Sequence, residues 1–120
     1  MIETMYAAAV SQVTESGGCS VDNLGQAPVF GFMVGVPEHS RKIDGASWID
    51  RADAAHTFIT EHVSEWRRGA YFGIWVDAAT ATMYLDVAER FHDRETALSA
   101  ARQRGEIAIW DVVAGREIRV

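Results

Sequence analysis

The chain has 120 residues, 48% hydrophobic and 23% charged, with a formal net charge of −6 at pH 7. Such a composition belongs to a water-soluble folded chain, and the length suits one domain, 1–120, around one core. The negative charge is uneven: residues 1–66 carry nine acids against Arg41, Lys42 and Arg51, whereas 67–120 balance eight acids with eight arginines, and an acidic first half repels phosphate backbones and anionic membranes.

In chain order, residues 1–15 place Met1, Met5, Ala8, Ala9 and Gln12 at helical spacing. "ESGG" ends that helix. "CSVD" (19–22) reads as a short strand, "NLGQAP" as a turn, and "VFGFMVGV" (29–36) as a second strand paired with the first in a hairpin. The two glycines of this second strand mark a bulge or close packing. "PEHSRKIDGASW" reads as a polar connection. A helix then begins near an Asp50 N-cap and carries Ala55, Phe58, Ile59, His62, Val63 and Trp66 along one stripe, to stop at Gly69.

Two alternating runs follow, 71–77 and 82–88, joined by a small Ala/Thr turn that Asp77 opens. Asp93 caps a helix with Ala97, Leu98 and Ala101 on its buried face and Gly105 at its end. "EIAIWDV", a Gly115 turn and "REIRV" close the chain as a third hairpin. The order β-β-α-β-β-α-β-β, with the short N-terminal helix ahead of it, predicts an α+β fold: a mostly antiparallel sheet of three hairpins with two helices on one face and a ferredoxin-like core order.

Alternation sorts the side chains of the middle hairpin. Phe72, Ile74 and Val76, with Met83, Leu85 and Val87, point to the core, as do Ile107 and Ile109 in the next strand. Tyr71, Trp75, Tyr84 and Trp110 then emerge on the opposite face. Trp and Tyr carry interface energy, so these four are the candidate protein-binding residues, with self-association as one version. Otherwise residues 1–15, or the 37–50 loop with Trp48, fold over them. Base stacking on these rings is disfavoured, because the strands hold no basic cluster and the net charge is wrong.

Catalytic signals are thin. Asp77 and Asp86 share a face, but strand rise puts them on the order of 10 Å or more apart, too far for a converging carboxylate pair. His56 and His62 stand about 120° apart around one helix, and no HxxxH or HExxH spacing exists. A small-molecule pocket, if present, would draw on His56, His62, Glu65 and Asp86. Nucleotide-loop and hydrolase motifs are absent, so no cofactor or metal is expected. Arg67 and Arg68 complement a helix dipole. Cys19 is the only cysteine, so no internal disulfide can form. With no signal peptide and no bilayer-length apolar run, a cytoplasmic location is the expectation.

Three pieces carry a resemblance: "GGCSVDNLGQAPVFGFMVGVP" (17–37), "YFGIWVDAATATMYLDVAERFHDRETAL" (71–98) and "GEIAIWDVVAGREIRV" (105–120). Together they resemble small uncharacterised proteins encoded by phages, plasmids and chromosomes of high-GC Gram-positive bacteria. Those share a G-[FY]-x-V-x-x-P strand, a G-x-W-x-D … Y-L-D-V hairpin and a closing A-I-W-D. The resemblance implies an intracellular protein of mobile-element origin and brings no activity, cofactor or site residue. The expectation is therefore a non-enzymatic protein-binding module, an accessory or inhibitor, with a DNA mimic or a small-molecule binder as alternatives.

Overall fold

The computed structural model describes residues 1–45 and 47–120, and at 48 the backbone alone. Among the described residues the chain forms α1 (Ile2–Ser16), β1 (Gly18–Val21), β2 (Phe32–Gly35), β3 (Arg41–Asp44), α2 (Trp48–Glu61) and α3 (Val63–Arg67). After these come β4 (Tyr71–Asp77), β5 (Thr82–Phe91), α4 (Arg94–Gln103), β6 (Ala108–Asp111) and β7 (Arg116–Arg119). This is an α+β fold built on a seven-stranded antiparallel sheet, in the order β1-β4-β5-β2-β6-β7, with β3 also on β5.

The sequence expectation fails first at β1 and β2. They are not a hairpin: β1 pairs with β4, whereas β2 lies between β5 and β6. Neighbours in sequence are thus separated by two strands. Val29 and Phe30 stand outside β2 and are 77% and 41% exposed, so the strand starts three residues later than the apolar run suggests.

The polar connection hides β3. Gly35 faces Ala88 and Arg41 faces Leu85, so five residues of the β2–β3 segment oppose two of β5. The surplus is a short 3-10 turn at Pro37–His39. Because the surplus is odd, the inward parity inverts: Val34 faces the helices in β2, and Ile43 does so in β3.

Packing follows the alternation. Phe72 and Ile74 of β4 and Met83, Leu85 and Val87 of β5 meet Met5 and Ala9 of α1 and Phe58 and Ile59 of α2. A second cluster, Val34 and Ile109 under Ala97, Leu98 and Ala101, seats α4 on the other half of the sheet. Ile107, expected in the core, precedes β6 and is 71% exposed. α1 therefore joins the helical layer and does not cover the aromatic face. Any cover by the Trp48 side chain lies outside the described residues.

The long amphipathic stripe is interrupted. Its N-cap is Ser47, whose Oγ accepts the Asp50 N–H at 3.2 Å, and not Asp50. The helix breaks at His62. His62 Nδ1 donates to the Phe58 carbonyl at 2.8 Å, and the Trp66 indole N–H donates to the Ile59 carbonyl at 2.9 Å. Two side chains thus satisfy acceptors that a continuous helix would give to backbone N–H groups, and the turn lets Trp66 reach full burial.

The β4–β5 turn carries one strained residue. Ala81 has φ 55, a left-handed conformation that costs an L residue roughly 1–2 kcal/mol. Its carbonyl accepts from Gly45 N–H at 3.3 Å and from Arg51 Nη2 at 2.9 Å, which ties the turn to the segment before α2 and to the first turn of α2 itself. Ala81→Gly is expected to stabilise the fold by about 0.5–1 kcal/mol, read as a raised urea midpoint. A lowered midpoint would mean that the alanine is not strained.

Candidate functional site

The helix-free face of the sheet holds the predicted rings. Trp75 and Tyr84 are direct cross-strand partners, and their rings stack at 5.2 Å with a 27° interplanar angle. On the other side Trp75 faces Gly18 of β1. A Cβ added at Gly18 would lie 2.8 Å from Trp75 Cδ1, so the indole rests directly on the glycine. Trp75 is 52% exposed and Trp110 44% exposed.

Tyr71 departs from the expectation: it shares the face by parity, but it is 5% exposed. Arg90 explains this. Its guanidinium lies 5.6 Å from the Tyr71 ring centroid and 4.2 Å from that of Phe30, in the β1–β2 loop. A cation held between two rings seals that corner. Tyr71 is thus a packing residue, and Trp75, Tyr84 and Trp110 are the rings that reach the surface.

A shallow trough of about 950 Å³ crosses this face. Its lining includes the small residues Gly35, Gly73, Ala88 and Ala108 together with Met33, and the Glu106 carboxylate lies over Gly35. Trp75 and Trp110 bound it, with Ala27 and Pro28 of the β1–β2 loop along one margin. Trp75 lies opposite Tyr84, whereas Trp110 lies opposite Met33, which lies opposite Arg90. Six residues along β5 and three strand spacings across therefore separate the indoles, on the order of 20–25 Å. They stand at diagonal corners.

The charged side chains that line the trough are Asp86, Glu106 and Glu117. Asp86 accepts a hydrogen bond from Ser40 Oγ at 2.6 Å. Among the described residues none of the three acids lies within ion-pair distance of a cation. Lys42, beside Tyr84, Arg90, beside Met33, and Arg119, beside Ala108, share the face but not the lining.

The candidate polar pocket does not assemble. His56 Nε2 meets Glu3 Oε1 at 2.9 Å on the helical side. His62 turns to the Phe58 carbonyl and stacks on the Phe58 ring at 4.2 Å. Glu65 pairs with Arg68 at 3.1 Å, and Asp86 lies across the sheet in the trough. Glu65 does border a different cavity of about 300 Å³, together with Glu38, His39, Arg68, Glu89 and Arg90. No local pattern in the sequence marks it, because its residues come from three separate segments.

Other titratable groups have local roles. Asp77 accepts the Ala79 N–H at 3.0 Å in its own turn. Asp93 caps α4, and hydrogen bonds from the Thr96 N–H and hydroxyl hold its carboxyl below the usual range. The Glu89–Arg104 ion pair, with Arg104 Nη1 on the Gly35 carbonyl at 3.2 Å, ties the end of α4 to the sheet. Among the described residues no three His, Cys, Asp or Glu side chains gather as metal ligands.

Cys19 is inert. Its Sγ points to the Ala9 carbonyl at 3.7 Å, and burial pushes the thiol from its ordinary 9.0 up to about 11. The folded chain therefore keeps a proton between about 9 and 11 that the unfolded chain has lost, so this group subtracts stability as pH rises through that window. Alkylation by iodoacetamide at pH 8 is expected to be slow in the native protein and fast in urea. Equal rates would place the thiol in solvent.

No family model, curated protein or solved structure matches this chain. No helix among the described residues is long and apolar enough to cross a membrane.

Proposed function

We propose that the chain is a non-enzymatic protein-binding module that works through the helix-free sheet face. The observation that carries this reading is the pair of half-exposed indoles, Trp75 and Trp110, at the corners of one trough. Large aromatics centred on small neighbours are what interfaces use as anchors. Asp77 and Asp86, bonded to separate local partners, lend no support to carboxylate catalysis.

The finer topology belongs to the same reading. The inner strands β4-β5-β2-β6 set β5 between the two strands that α2 and α3 connect, and this interleaving supports a ferredoxin-like core extended by β1 and β7. The resemblance to phage and plasmid proteins supports an intracellular accessory or inhibitor. DNA mimicry is less favoured, because Glu3, Asp22, Asp44, Asp50 and Glu65 of the acidic half are engaged by local partners. A small-molecule binder is the second reading, and the 300 Å³ cavity beside Glu65 and His39 favours it.

The test compares wild type with Trp75→Ala/Trp110→Ala. A protein captured from the source-cell extract by wild type is purified and titrated against both forms. Loss of binding by a folded double variant is the expected result. Undiminished binding overturns the reading.

A further inference from the structure

We infer that the trough accepts an extended, Lys- or Arg-bearing segment of a partner protein. This rests on the protein-binding reading above and narrows it to one kind of partner. Shape comes first. The diagonal between the indoles is long enough for about six or seven extended residues at roughly 3.3 Å each. Gly73, Ala88 and Ala108 in its lining let a main chain approach closely, as large side chains would not.

Charge selects the occupant. The trough contributes Asp86, Glu106 and Glu117 and no lining cation. Asp86 lies on β5 between the positions that face the two indoles. Basic side chains reaching along such a segment meet Asp86 and Glu106 between the indoles and Glu117 beside Trp110, and at the ends a guanidinium gains from cation–π contact with an indole. The protein already uses that contact once, at Arg90 between Phe30 and Tyr71.

The same charges disfavour a second copy. Two of these faces laid together on a two-fold axis bring both sets of three carboxylates into one interface, and like charges set against each other suppress pairing. An acidic lining also rejects a nucleic-acid backbone.

The probe is an eight-residue peptide alternating glycine and arginine, compared with its glycine–glutamate counterpart. Binding is followed by the indole N–H resonances of Trp75 and Trp110 in the full chain. The arginine peptide is expected to shift both resonances, and the glutamate peptide neither. The variant Asp86→Asn/Glu106→Gln/Glu117→Gln is expected to bind the arginine peptide at least tenfold more weakly. A control that neutralises Glu15, Asp53 and Glu61, outside the trough, changes affinity less than twofold. Asp86→Asn alone keeps an acceptor for Ser40, so it reports the charge if the triple variant fails to fold; it is expected to weaken binding about threefold.

Equal binding of the two peptides, or an unweakened triple variant, overturns the inference. If either result is found while the captured partner still depends on Trp75 and Trp110, the face binds protein and only the cationic assignment is lost. If the double alanine variant also keeps its partner, the reading of the face itself fails.

Discussion

Trp66→Ala is expected to destabilise the fold by about 3–5 kcal/mol, the usual cost of emptying a fully buried large aromatic site. The indole is wholly buried, and its ring packs near Phe58 and Phe72, with centroids 6.4 and 5.9 Å away. Its N–H also satisfies the Ile59 carbonyl at 2.9 Å. Alanine would leave a cavity at the point where the helix breaks and would leave the Ile59 carbonyl with only the longer 3.4 Å hydrogen bond from the His62 N–H. With total stability of about 5–15 kcal/mol for a typical domain, such a loss brings the chain near unfolding. Trp66→Phe keeps most of the ring and forfeits the hydrogen bond, for about 1–3 kcal/mol. Urea unfolding followed by circular dichroism measures both, and a Trp66→Ala cost below about 1 kcal/mol would contradict this packing.

The second large effect is on binding, not stability. Trp75→Ala with Trp110→Ala is expected to raise the Kd for the captured protein at least a hundredfold. Anchors of this kind cost about 2 kcal/mol or more each when truncated, with sums that are not additive. The melting temperature should move by only a few degrees, because both indoles are already half in water. Isothermal titration and a thermal melt of the same sample separate the outcomes. A large drop in melting temperature with little change in Kd would make these rings structural.

Local chemistry was readable where partners are close in sequence. The β4–β5 hairpin, the Asp93 cap and the buried face of α4 depend on alternation, on a three-residue reach and on helical spacing. Long-range facts were not. Nothing in "CSVD" or "VFGFMVGV" states which strand each will pair with. β3 escaped because three of its four residues are exposed, and the odd surplus at Pro37–His39 reverses the alternation that a reader would carry forward from Val34. The rings followed the same division. Parity placed Tyr71, Trp75, Tyr84 and Trp110 on one face, but the burial of Tyr71 depends on Arg90 and Phe30, from elsewhere in the chain. Of the trough acids, parity placed Asp86 on that face, whereas Glu106 and Glu117, from two other segments, had no signature.

The seat of Trp75 between Gly18 and Tyr84 has a kinetic consequence. A surface indole normally surrenders rotational freedom when a partner arrives, and the complex is weaker for it. Here that freedom is given up as the chain folds. On the protein-binding reading, a partner would meet a plate already braced by Gly18 and Tyr84. Encounters that align with it need no search among rotamers, and the time spent bound is set by how well the incoming segment fits that plate.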